Sequence, residues 1–166
     1  MIRESSYVAR PKNKAAKYVC LGLFGSSLIF FLTSQLLERY SGLILAVALV
    51  FITATIYVYN RFVGSEYYYT LDNSGGRPTF SVNMRIGKTV RTMARVDTYS
   101  ISEVRRLSRK EYRAHKCERG VVKYTYYPTM FADEIYLVSI RSEHESADIF
   151  IEADAEFASA LEEAIG

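Results

Sequence analysis

The sequence predicts a helical membrane hairpin followed by a small α+β domain, whose strands form an antiparallel barrel or sandwich capped by a C-terminal helix. Three observations carry that prediction. Two apolar runs free of charge lie near the N-terminus, a train of short alternating segments follows, and apolar side chains recur at helical spacing near the C-terminus.

The first run, YVCLGLFGSSLIFFLTSQLL, covers residues 18–37 without a charge. A helix of that length spans roughly 30 Å, the thickness of a bilayer's hydrocarbon core. The second run, LILAVALVFITATIYVY, lies within residues 42–60. Only a tight turn fits between them, so the two spans must be antiparallel. A cleaved signal peptide has an apolar core of about 7–15 residues and a small-x-small cleavage site, and the first run has neither feature. Gly22 and Ser26, four residues apart, offer a small face for close packing within the hairpin or between copies. No Asp, Glu, Lys, Arg or His lies inside either run, which argues against an ion or proton pathway.

Residues 1–17 carry five Lys or Arg against Glu4, and Arg61 follows the second span, whereas the turn holds Arg39 alone. The positive-inside rule therefore places the basic N-terminal segment 1–17 and the domain 62–166 in the cytoplasm, on a chain that crosses the cell membrane twice in its segment 18–61.

Beyond Arg61 the pattern turns to strands. Glu66–Leu71 is aromatic and β-favouring, Thr79–Ile86 alternates with Phe80, Val82, Met84 and Ile86 on one face, and Thr89–Val96 continues after Gly87-Lys88. A meander of these three is expected. Ile101–Leu107 reads as a short strand or turn. Ser108-Arg109-Lys110-Glu111 fits a capping box opening a helix over 109–118, which Gly120 stops. Its nearly all-polar faces predict a helix lying against water or a charged surface. Val121–Tyr127, Glu134–Arg141 and Ala147–Glu152 supply further strands, and Asp154 caps a last helix over 155–165 bearing Phe157, Ala158, Leu161 and Ile165.

This layout resembles small bacterial two-span membrane proteins with a pleckstrin-homology-like domain. The resemblance covers the whole chain and is carried by RVDTYSISEVRRLSRKE at 95–111, VKYTYYPTM at 122–130, EIYLVSI at 134–140 and FIEADAEFASALEEAI at 150–165. It implies a pleckstrin-homology-like fold, and it brings no site residues with it.

Charge is distributed unevenly along the domain. Residues 77–123 hold thirteen basic and four acidic groups, and residues 124–166 hold one and ten. The densest stretch, RRLSRKEYRAHKCER at 105–119, contains seven Lys or Arg: Arg105, Arg106, Arg109, Lys110, Arg113, Lys116 and Arg119. Three readings of it stand side by side: a solvated face, a contact with anionic lipid head groups, or a protein interface. Arg10, Lys12 and Lys14 form a second basic patch. Nucleic acid is disfavoured, because the acidic C-terminal half repels a polyanion and no aromatic-basic RNA signature is present. The tyrosines of 124–127 are candidate anchors for a membrane protein partner, and burial in the sheet explains them more simply.

Catalytic chemistry is not expected. His115 and His144 sit in no metal-ligand spacing, His115 with Cys117 makes only two donors, and Gly75-Gly76 lacks the later residues of a phosphate loop. Glu143, Glu145 and Asp148 lie around a hairpin turn and read as solvated acids rather than a general acid–base pair. The two cysteines suggest no disulfide framework. The expected function is a non-enzymatic binding module without cofactor or metal, working at the cytoplasmic membrane face. The alternative is a scaffold subunit of a membrane complex.

Overall fold

A computed structural model describes residues 5–12, 14–73, 77–117, 120–142 and 146–165. The chain divides into two units, one of residues 11–65 and one that joins residues 1–10 to residues 66–166.

The smaller unit is a helical hairpin. Helix α1 covers Ala15–Leu36, a 3₁₀ turn covers Glu38–Tyr40, and α2 covers Ser41–Phe62. Both helices are 22 residues long, about 33 Å at 1.5 Å per residue, and both are long and apolar enough to cross a membrane. They start earlier or end later than the apolar runs because helix geometry continues through Lys17 at one end and Arg61 at the other. Large apolar side chains such as Leu21, Ile29 and Val50 are exposed all round, the opposite of a soluble core helix.

The seam between the two helices falls at Cys20, Ser27 and Ser34, positions seven apart. Ser27 Oγ donates to the Ala48 carbonyl at 3.0 Å, and the Phe30 and Phe51 rings stack at 5.4 Å. A seven-residue spacing keeps one stripe facing its partner along a gently supercoiled pair. Gly22 lies outside that seam: it is exposed, and a Cβ there would meet nothing within 4 Å.

The larger unit holds two four-stranded sheets. In the first, β1 (Ser5–Ala9), β2 (Ser65–Asp72), β3 (Thr79–Ile86) and β4 (Thr89–Asp97) lie in that order. In the second the order is β5 (Ile101–Leu107), β7 (Ile135–Arg141), β8 (Ser146–Ile151) and β6 (Val122–Thr125), with β6 parallel to β8. The meander expected for the first three domain strands is therefore joined by a strand from ahead of the hairpin. β1 runs antiparallel to β2 in the register Ser5↔Leu71 to Ala9↔Tyr67, so the whole helical hairpin is inserted into the connection between two paired strands.

Among the described residues the strands do not close into a barrel. The 3₁₀ turn Thr98–Ser100 carries the chain from one sheet to the other, anchored by buried Thr98, which donates from N and Oγ1 to the Pro78 carbonyl. Strands β4 and β6 remain edges of separate sheets.

One core lies between the sheets. Tyr67, Tyr69, Phe80 and Val82 from the first meet Val138, Ile149 and Ile151 from the second. Helix α4 (Ala155–Glu163) adds Phe157 and Leu161, each worth roughly 2–3 kcal/mol by area. Its predicted cap is present, with Asp154 Oδ1 accepting from Phe157 N at 2.8 Å. The second sheet is also covered on its outer face. There Leu107, Ile135, Leu137 and Phe150 form a smaller cluster under Tyr112 of helix α3 (Arg109–Cys117). Alternation in β7 produces both layers: Ile135 and Leu137 point one way, Tyr136, Val138 and Ile140 the other.

Candidate functional site

The capping box that opens α3 is formed as read. Glu111 N donates to Ser108 Oγ at 3.3 Å, and Ser108 N donates to Glu111 Oε2 at 2.8 Å. Hydrogen bonding to the carboxyl from the Ser108 hydroxyl and from the Ser108 backbone N–H, with the Arg105 charge nearby, holds Glu111 below its usual range.

The helix does more than lie against water. The Tyr112 ring meets Phe150 edge-on at 5.1 Å, and Tyr127 Oη donates to Tyr112 Oη at 2.9 Å. One turn further on, His115 Nε2 is 2.8 Å from Asp148 Oδ2. A carboxylate only accepts, so the proton is on Nε2.

Asp148 lies on β8, within the strand predicted over 147–152, but it is not solvated as expected: 1% of its surface is exposed. The strand begins at Ser146, so Asp148 falls on its outer face beneath α3. Its other oxygen accepts from Arg141 Nη1 at 2.9 Å and Ser139 Oγ at 3.1 Å. Burial alone would raise the Asp148 carboxyl. The hydrogen bonds from His115, Arg141 and Ser139, with the Arg141 charge, outweigh it and hold the group below the ordinary aspartate value. This cluster clamps α3 to the sheet.

The cations of the basic stretch are largely engaged by the protein itself. Arg105 Nε pairs with Glu103 at 3.0 Å, and Arg106 Nη2 with Glu134 at 2.9 Å. Arg109 Nη2 donates to the Phe131 carbonyl at 3.5 Å, and Lys116 Nζ lies 5.5 Å from the centre of the Tyr112 ring. Lys110 and Arg113 are exposed and make no ion pair among the described residues. Arg119, Gly75-Gly76, Glu143, His144 and Glu145 lie outside the described residues. Of the second patch, Arg10 pairs with Glu66 at 3.1 Å and Lys14 is exposed beside α1.

A further basic element emerges from the fold. Every residue from Arg85 to Met93, the far part of the β3–β4 hairpin, is exposed. Lys88 and Arg91 within it, and Arg95 just beyond, make no ion pair among the described residues. The clustered charge of 105–119 drew attention in the sequence; these three are spread singly among strand residues and carry no such signal.

A cleft of about 350 Å³ opens between the β4 and β6 edges, lined by Met93, Arg95, Tyr124, Tyr126 and Ile149 among others. Tyr124 and Tyr126 stack along it at 5.8 Å, while Tyr126 and Tyr127 are buried. Among the described residues, no group of three or more His, Cys, Asp or Glu could hold a metal ion. No protein-family model, curated protein or solved structure matches the chain.

Proposed function

We propose that this protein is a membrane-anchored, non-enzymatic binding module of pleckstrin-homology-like type, which contacts anionic lipid at the cytoplasmic face. The observation that carries the reading is the pairing of β1 with β2 across the helical hairpin. Strands hydrogen-bonded to each other occupy the same compartment, so a hairpin inserted between them crosses a bilayer an even number of times. The basic flanks, Lys14 before α1, Lys17 in its first turn and Arg61 at the end of α2, favour the cytoplasmic side for both. Tethering keeps the domain at high effective concentration near the bilayer, so a modest cationic surface suffices for contact.

A second reading, a scaffold for a membrane partner, draws on the open cleft between the β4 and β6 edges. Salt separates the two, because attraction to anionic lipid weakens with ionic strength and an apolar interface does not.

The test needs the full chain, since a soluble piece starting after the hairpin would lack β1. In nanodiscs, anionic lipid is expected to slow amide hydrogen exchange on one surface of the domain, relative to neutral lipid, and high salt to reverse it. Identical exchange in both lipids would exclude the lipid reading.

A further inference from the structure

We infer that the β3–β4 hairpin tip is the element that meets the anionic bilayer, with the basic face of α3 outside the contact. This deepens the lipid-contact reading above and rests on it.

The argument starts from strand direction. The chain leaves the first sheet for α1 at the Ala9 end of β1 and returns at the Tyr67 end of β2, two residues paired in register. The turn between β3 and β4 lies at that same end. A hydrogen-bond chain shows it: Arg85 Nη1 donates to Tyr68 Oη at 3.2 Å, Tyr68 Oη donates to Glu66 Oε2 at 2.9 Å, and Glu66 pairs with Arg10 at 3.1 Å. The tip is therefore at the end of the sheet from which both connections to the apolar helices depart.

Its composition suits an interface between water and lipid. β3 and β4 pair as far as Ile86↔Thr89, leaving the two-residue turn Gly87-Lys88, where Gly87 takes φ +59°. Burial along β3 ends after Val82 and Met84, so the strands run on beyond the core. On this projecting part Ile86 is 39% exposed, Val90 60% and Met93 38%. Apolar side chains on a protruding tip lose nothing by leaving water for the acyl boundary. Lys88, Arg91 and Arg95 flank them without a carboxylate among the described residues, so their charge is available to lipid phosphates. On the α3 face Arg105, Arg106 and Arg109 are already held by Glu103, Glu134 and the Phe131 carbonyl, and the two remaining exposed cations of the helix, Lys110 and Arg113, have no exposed large apolar side chain beside them on α3.

The experiment uses the full chain in vesicles of phosphatidylcholine, alone or mixed with phosphatidylglycerol. A single fluorophore is placed on Val90→Cys with Cys20 and Cys117 changed to Ser, or on native Cys117 of α3 with Cys20→Ser. An Ile29→Cys label reports insertion of α1. Quenching is the readout, by a headgroup-level lipid quencher for positions 90 and 117 and by an acyl-chain-level quencher for position 29. The Val90→Cys label is expected to be quenched in anionic vesicles at low salt and released at high salt. Changing Lys88, Arg91 and Arg95 to Gln should weaken that contact about a hundredfold, each cation contributing about fivefold. If the position-90 label stays in water while the Cys117 label is quenched, this inference is wrong and lipid contact belongs to α3. If both stay in water beside a quenched position-29 label, the lipid reading itself fails.

Discussion

The α3–β5 face and the β3–β4 tip carry comparable positive charge and spend it differently. On the first, Glu103, Glu111 and Glu134 match Arg105 and Arg106, Lys110 and Arg113 stay without an ion pair among the described residues, and the helix is clamped by Tyr112, His115 and Asp148. On the second, three cations stand among exposed apolar residues with no acidic partner among the described residues. Density of charge in a sequence is thus a poor guide to available charge. What matters is whether the fold brings carboxylates alongside, and a segment 28 residues away does so for Arg106.

Substitutions can break this contrast, and the largest effect is expected at Asp148. Asp148→Ala leaves Arg141, Ser139 and His115 facing a vacated buried site and should cost about 3 kcal/mol in denaturation of the full chain. Hydrogen exchange on α3 should accelerate with it. A loss under about 1 kcal/mol would show that the carboxylate is not what holds the helix.

Acid should reproduce part of that effect. The Asp148 carboxyl is depressed below its ordinary 3.8, so its contribution is complete above that value and disappears as pH falls through the lower folded-state value. The stability difference between the natural chain and Asp148→Asn should therefore be level above about pH 5 and shrink below about pH 4. A difference that vanished at neutral pH would contradict the assignment.

Tyr112→Ala removes the half-buried ring from Phe150 and Tyr127 and should cost about 2 kcal/mol by thermal melting. Tyr112→Phe keeps the packing and should recover most of it. Ser108→Ala opens the capping box and should cost about 1 kcal/mol, visible as fraying at the start of α3. Smallest of all, Arg106→Gln on one face and Arg91→Gln on the other should each change stability by less than about 0.5 kcal/mol. Equal stability with unequal lipid contact would sharpen the comparison, because it separates folding from surface function.

Much of the architecture was legible in local pattern. The paired apolar runs specify α1 and α2, since twenty residues without charge admit few other structures. The Asp154 and Ser108 caps, the alternation in β3 and β7 and the positive φ of Gly87 and Gly120 all follow from short-range chemistry that a linear reading can see. Their physics acts within a few residues.

What only the tertiary structure decided involves residues far apart in the chain. β1 gives almost no signal on its own, because five residues ahead of an apolar helix become a strand only when β2, some sixty residues later, supplies the hydrogen bonds. The parallel edge position of β6, the open separation of the sheets and the burial of Asp148 beneath α3 depend likewise on pairings between distant segments. The candidate surface changed for the same reason. Sequence shows where charges cluster, but availability depends on which carboxylates the fold brings within ion-pair distance.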